Sequence, residues 1–158
     1  MKLVRYGIMA LALTLAVPAF AQTPATSTDM QILAAKVKAD KKLLVAQNME
    51  LTEAEASSFW PIYDDYQRDL QGINDRLSAI IGEYASAYNK GPVDDATARK
   101  LLREFLAIGK AESELQETYV PRLEKVLPET KVARYIQIEN KIRALVHYGL
   151  ASEIPLIE

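Results

Sequence analysis

Side chains that commonly carry enzymatic chemistry are scarce in this sequence. It contains one histidine, His147, and no cysteine, so neither a cysteine–histidine pair nor a cluster of soft metal ligands can form. A lone histidine near a helix end is more often a cap or a surface group than a ligand. No glycine-rich phosphate loop accompanies the carboxylates. We therefore expect no catalytic site, no metal site and no cofactor, and a protein that is not an enzyme.

Two groups of charged side chains are denser than their surroundings, and both fall on predicted helices. The acidic group is Asp64, Asp65 and Asp69, and the basic group is Lys36, Lys38, Lys41 and Lys42. We interpret both as solvated helix faces. The functional alternative for the lysines is a basic rim that attracts acidic partners or anionic lipid head groups.

Four aromatic side chains crowd around a proline in the second predicted helix. These candidate binding residues are Phe59, Trp60, Tyr63 and Tyr66, on either side of Pro61. Tyrosine in particular can pack in a core or face water at a binding surface. Four rings exceed what one face of a two-helix layer can bury, so we predict that Trp60 or Tyr66 borders a shallow apolar groove. In the alternative interpretation all four rings lie in the core.

The N-terminal residues have the features of a secretory signal peptide. Lys2 and Arg5 form a positive start, and the apolar run that follows, residues 7–17, is too short to span a bilayer. A proline then precedes a small-x-small cleavage site. We predict a signal peptide over residues 1–21, cut after Ala21, and no integral membrane anchor. A retained anchor is the alternative.

The charge balance sets limits on the partners of the exported chain. The sequence has 19 basic and 21 acidic side chains, a net charge of −2, and loss of Lys2 and Arg5 lowers that charge by two more, to −4. Nothing in this balance indicates nucleic-acid binding. Since the chain has no cysteine, helix packing rather than disulfides must stabilise it in an oxidising compartment. Residues 22–28 are predicted to form a disordered leader.

Apolar residues recur at steps of three and four, and no alternation typical of strands occurs. In the second helix the steps form an unbroken seam of the coiled-coil type. The spacing predicts one all-α domain over residues 29–158, with helices over about 29–47, 52–89, 95–126 and 128–149. A tight turn around Gly91, followed by an aspartate cap, should fold the second and third helices into an antiparallel hairpin. The tail over 151–158 is predicted to be a docked, extended segment.

Two prolines lie inside the predicted hairpin. Pro61 and Pro121 are each 30 residues from Gly91, which places each one ~45 Å along its helix and nearly opposite the other. An interior proline costs ~3 kcal/mol, but two facing kinks would let both helices bend together. We therefore predict a long, curved, proline-kinked hairpin. Two unrelated, tolerated kinks are the alternative.

The residues at the starts of the second and fourth helices resemble a known sequence motif. Thr52 and Glu55 have the spacing of a capping box. The motif positions at the start of the second helix are Leu51, Thr52 and Glu55, and those at the start of the fourth are Leu127, Pro128 and Lys131. They resemble the two LTxxQ motifs of the periplasmic envelope-stress proteins of the Spy/CpxP type. Glu55 and Lys131 replace the two glutamines of that motif, and Pro128 replaces a threonine. Their opposite charges, at one end of the hairpin, predict an ion pair.

The resemblance implies a fold and a function for the whole mature chain. It implies a four-helix protein that forms a homodimeric, thin, curved cradle in the periplasm. Its members include ATP-independent chaperones and stress-signalling accessories, although the best-known chaperone cradle is basic and this chain is acidic. We expect a chaperone-like protein that binds unfolded envelope proteins. A regulatory accessory that binds one sensor domain, or a purely structural envelope protein, are the alternatives.

Overall fold

The computed structural model of the protein describes residues 41–157, and these form α-helices joined by short turns. Helix α1 is described over residues 41–49, and α2 (Glu53–Tyr88), α3 (Asp95–Leu123) and α4 (Glu129–Glu153) follow. The described residues contain no strand, so the predicted all-α class is confirmed. The predicted signal peptide, its cleavage site after Ala21, the leader over residues 22–28, Lys36 and Lys38 lie outside the described residues.

In the part of the chain that the structure describes, no helix combines the length and the apolar character needed to cross a membrane.

Helix α2 begins at the predicted capping box. The Thr52 hydroxyl accepts a hydrogen bond from the Glu55 backbone N–H at 3.3 Å, and the Glu55 carboxylate accepts one from the Thr52 N–H at 2.8 Å. Two backbone donors that a helix start leaves unpaired are thereby satisfied. The helix then runs without interruption to Asn89, its C-terminal cap.

A turn at Gly91 and a new cap at Asp94 reverse the chain into α3. Gly91 has a φ of +136°, a backbone conformation that residues with a Cβ rarely adopt. The Asp94 carboxylate accepts hydrogen bonds from the N–H groups of Ala96 and Thr97 at 3.0 Å, and these bonds hold its pKa below the ordinary value. The predicted aspartate cap is therefore confirmed.

Helices α2 and α3 contact each other as an antiparallel hairpin. The Asp65–Arg122 pair (2.7 Å) lies near the open end of the hairpin, and the Arg76–Glu104 pair (2.9 Å) lies nearer the turn. Pro61 precedes Asp65 by one turn and Pro121 adjoins Arg122. The two prolines therefore lie on contacting helices with a stagger of about one turn, and both helices continue through them.

The junction between α3 and α4 differs from the prediction. Helix α3 ends at Leu123 rather than near residue 126, with Glu124 as its C-terminal cap. Pro128 drives the residue before it, Leu127, away from helical backbone, so the helix cannot continue directly into α4. The N–H groups of Val126 and Leu127 both donate back to the Leu123 carbonyl, which closes a turn. Pro128 is the N-cap of α4 and makes no side-chain capping bond.

Helix α4 is one turn longer than predicted. It ends at Glu153 instead of near Gly149, so the expectation of an extended segment from residue 151 is wrong for residues 151–153. The Ser152 hydroxyl donates to the Gly149 carbonyl within that last turn. Pro155 then ends the helix, because the residue before a proline is driven towards extended backbone.

The core lies at the open end of the hairpin, where residues of all four helices meet. Its buried members are Val45, Met49, Phe59, Tyr63, Tyr66, Tyr119, Leu123, Leu127, Val132 and Tyr135. Four tyrosines therefore pack inside, with rings in edge-to-face contacts such as Tyr66–Tyr119 at 5.3 Å between centroids.

Candidate functional site

The aromatic residues around Pro61 belong to the core and do not form an open surface. Phe59, Tyr63 and Tyr66 expose 0%, 4% and 2% of their surface. Burial raises the pKa of Tyr63 and of Tyr66 well above the ordinary value for tyrosine. The proposed role of these three residues as a binding surface is therefore wrong, since a ring enclosed by its own chain offers no area to a partner. The competing interpretation, core packing, holds for them.

Trp60 is half-buried and packs against the edge of the same core. Its ring centroid lies 5.0 Å from that of Phe59 and 5.3 Å from that of Tyr63, both in edge-to-face geometry. The ammonium group of Lys42 lies 5.2 Å from the indole centroid, a cation–π contact. Trp60 thus has intramolecular partners on two sides.

The motif residues form a clamp between the starts of α2 and α4. Lys131 Nζ lies 2.6 Å from Glu55 Oε2 and donates to the Glu50 carbonyl at 2.8 Å. The predicted ion pair is confirmed. The bond from Lys131, and then the one from the Thr52 backbone, hold the pKa of Glu55 below its ordinary value. Leu127 is buried and Leu51 packs against the core, so these motif positions are structural.

A buried polar network, which the sequence analysis missed, ties α1 to α2 and α4. Lys41 Nζ donates to Glu139 Oε2 at 2.8 Å and to Gln67 Oε1 at 2.7 Å. The Gln67 amide donates to Glu139 Oε1 at 2.9 Å and to the Tyr135 hydroxyl at 3.3 Å. Both carboxylate oxygens of Glu139, whose side chain is 3% exposed, are thereby hydrogen-bonded. The interpretation of Lys41 as a solvated residue is wrong.

The other charged residues that were predicted to form solvated faces differ in their exposure and in their contacts. Lys42 and Asp64 pair at 2.7 Å and are both more than half exposed, which fits a solvated face. Asp65 instead accepts from Arg122 of α3, and this bond, with one from Arg68, lowers its pKa. Asp69 accepts a hydrogen bond from the Tyr119 hydroxyl. The two latter aspartates therefore connect the helices of the hairpin.

A second buried carboxylate, Glu112, faces a cavity of about 230 Å³. All four helices line the cavity: α1 supplies Lys41, α2 supplies Tyr66 among others, α3 supplies Glu112, and α4 supplies Arg143 and His147. Glu112 lies 3.6 Å from Arg143 Nη1 and 3.7 Å from His147 Nε2. Tyr66 or Trp60 was predicted to border an apolar groove. Instead, Tyr66 lines this partly polar cavity, and only 2% of its surface is exposed.

A larger and almost entirely apolar groove of about 570 Å³ lies at the turn end of the hairpin. The lining comes from the second half of α2, the first half of α3, the last turns of α4 and the tail. Its apolar members include Leu77, Ile80, Ile81, Tyr84, Leu101, Leu102, Phe105, Leu150, Ile154 and Leu156. The Tyr84 hydroxyl donates to the Pro155 carbonyl at 2.9 Å, which fixes the tail along one wall.

The groove carries large apolar side chains that remain open to solvent. Leu102 and Phe105, which line it, are 58% and 52% exposed, and Leu106 beside them is 62% exposed. Their spacing of three and four places them on one face of α3. The apolar spacing of the third helix predicts Phe105 in the contact between the helices, whereas the structure leaves it half exposed beside Leu102. The sequence did contain a signal, because two adjacent leucines on a helix cannot both face the same core. In the structure Leu101 is buried and Leu102 is exposed.

Searches against protein-family models, curated proteins and solved structures find no match to this chain. The chemistry of the site therefore rests on its own geometry. Among residues 41–157 no group of three or more histidine, aspartate or glutamate side chains is arranged to hold a metal ion. The groove offers apolar area and few polar atoms, so what it can do is bind apolar material.

Proposed function

We propose that this protein is a periplasmic, ATP-independent, chaperone-like protein that binds apolar segments of unfolded envelope proteins in the groove. The observation that carries the proposal is the exposure of Leu102 and Phe105 on the wall of a 570 Å³ apolar groove. The periplasmic location rests on the predicted signal peptide over residues 1–21. The LTxxQ-type resemblance supports the chaperone function.

The chemistry of the groove suits weak binding of many sequences. Apolar surface contributes roughly 25 cal/mol for each Å² removed from water, whatever the sequence that covers it. A wall with few polar atoms imposes no fixed pattern of hydrogen bonds on its partner. Contiguous exposed apolar patches on soluble proteins mark such interaction surfaces.

An aggregation assay with matched variants tests the proposal. The mature chain, without ATP, is added to several unrelated clients that aggregate on heating or reduction, and light scattering is followed. We expect the wild type to slow aggregation of most clients, and Leu102→Ser/Phe105→Ser to lose most of that effect. Leu43→Ser is the control, because Leu43 is as exposed, at 54%, but lies on α1 and does not line the groove.

Two outcomes would contradict the proposal. Equal protection by the double variant and the wild type would show that the groove is not the binding surface. Failure of the wild type to protect any of several clients, together with tight binding of one folded sensor domain, would replace the chaperone with the regulatory accessory.

A further inference from the structure

The polar cavity and the apolar groove adjoin each other along α2 and the end of α4. Leu77, Ile81, His147 and Leu150 line both of them. A molecule with a polar group and an apolar chain can therefore place the first in the cavity and the second in the groove.

The cavity is lined by a carboxylate, Glu112, that makes ion-pair contacts but no hydrogen bond within the described residues. Glu112 is 6% exposed and, among the described residues, receives no hydrogen bond. Arg143 Nη1 and His147 Nε2 lie 3.6 and 3.7 Å from its carboxylate oxygens. Among the described residues no buried side-chain oxygen or nitrogen lacks a partner, so the Glu112 oxygens border the open space of the cavity. A ligand that brings an ammonium donor to Glu112 therefore forms a charge-assisted hydrogen bond there.

The charges that face the cavity select the head group of such a ligand. Lys41 and Glu139 neutralise each other at 2.8 Å, with the remaining oxygen of Glu139 bonded to Gln67. Glu112 and Arg143 form a looser ion pair, at 3.6 Å, and both line the open space; Arg143 also donates to the Asn140 side chain at 2.8 Å. Glu112 disfavours a head group that is only anionic, and Arg143 disfavours one that is only cationic. A head group with both charges complements the pair.

We propose that the cavity and the groove together bind a lysophospholipid with a zwitterionic head group. Its ammonium group lies against Glu112, its phosphate lies towards Arg143, and its single acyl chain lies along Leu77, Leu101 and Phe105 in the groove. This site goes beyond the proposed function, because it involves the cavity and needs no unfolded protein. The acyl chain and an unfolded segment compete for the same groove.

Calorimetric titration with two lysophospholipids below their micelle concentrations tests the head-group selectivity. Lysophosphatidylethanolamine and lysophosphatidylglycerol with the same acyl chain share the phosphate, but only the first carries an ammonium group. We expect the wild type to bind the first at least about tenfold more tightly, since a charge-assisted hydrogen bond is worth a factor of that order. Equal affinity for the two, or no binding of either, would overturn the proposal.

Variants then locate the head group and the chain. Glu112→Gln should abolish or reverse the preference between the two lipids, whereas Glu114→Gln, an exposed glutamate on the same helix, should retain it. Phe105→Ser should weaken both lipids equally, because it affects only the chain. A Glu112→Gln variant that is folded by circular dichroism and keeps the wild-type preference would refute the proposed site. If that variant does not fold, the affinities of the wild type for the two lipids still test the proposal.

Discussion

Thr52 stabilises the start of α2 through a hydrogen bond that its spacing to Glu55 made predictable. Replacing a threonine N-cap by alanine typically costs ~1 kcal/mol. We expect Thr52→Ala to lower the free energy of unfolding by about that amount in urea denaturation. Thr118→Ala is the control, because the exposed Thr118 hydroxyl bonds only to a carbonyl within its own helix. Equal stabilities of the two variants would contradict the capping role.

The Glu55–Lys131 pair links the two motif positions, and its effect on stability depends on pH. Because the folded pKa of Glu55 is lowered, its carboxylate stabilises the fold above the unfolded value of about 4.3. That contribution is lost as the pH falls through the folded pKa. We expect thermal melts to show that Glu55→Gln narrows the stability gap between pH 7 and pH 3.

A double-mutant cycle separates this pair from its surroundings. Glu55→Gln and Lys131→Gln each introduce the glutamine that the LTxxQ motif, which these positions resemble, has there. Each alone leaves a partly buried charge without its partner, so each should lower the melting temperature. The double variant should be more stable than the sum of the two losses predicts. Additive losses would mean that the contact at 2.6 Å contributes no coupling.

The buried carboxylates show what residue spacing cannot predict. Glu112 and Glu139 are buried on the inner faces of α3 and α4 although their side chains are charged. Their partners, Arg143 and Lys41, come from other helices. Only the packing of those helices decides whether such a glutamate is solvated or enclosed, so the residue pattern of a single helix does not predict the buried pairs.

At the scale of elements, the Lys41 network determines how α1 is attached. Removing one member of a buried ion pair leaves the other charge uncompensated, which costs about 3 kcal/mol. We expect Lys41→Met to lower the free energy of unfolding by roughly that amount. Lys42→Met, which removes an exposed pair with Asp64, should cost less than about 1 kcal/mol. Similar losses in both variants would show that Glu139 is not enclosed in solution.

Helix boundaries were predictable where one residue type determines them. The cap at Thr52, the turn at Gly91 and the cap at Asp94 lie where local chemistry placed them. The end of α3 and the end of α4 were misplaced by a turn or less, because each depends on how a proline competes with the neighbouring turn. The hairpin that the apolar seam predicted is confirmed by the contacts of α2 with α3.

At the scale of the whole molecule, the distance between Trp60 and the groove determines whether the fluorescence emission of Trp60 responds to client binding. Leu77, the groove residue nearest to it along α2, is 17 residues away, about 25 Å along the helix. If the rings around Pro61 formed the binding site, Trp60 emission would shift on client binding. With the groove as the site, we expect little change of emission in a titration with an unfolded client. A large shift would favour a surface near Pro61.

The homodimer implied by the resemblance remains a prediction for the assembled molecule. The apolar side chains that α3 exposes near Leu106 offer a surface to a second copy as well as to a client. Sedimentation velocity of the mature chain over a range of concentrations measures this directly. A monomer at all concentrations would contradict the cradle-like dimer, while leaving the groove of each chain intact.

We propose that unfolded segments bind in the groove at the turn end of the hairpin. Photo-crosslinking tests it most directly, with a benzophenone side chain placed at Phe105 in one variant and at the equally exposed Leu43 in another. We predict that irradiation with an unfolded client gives strong adducts from position 105 and few from position 43. Equal adducts from both positions, or adducts mainly from position 43, would contradict the claim.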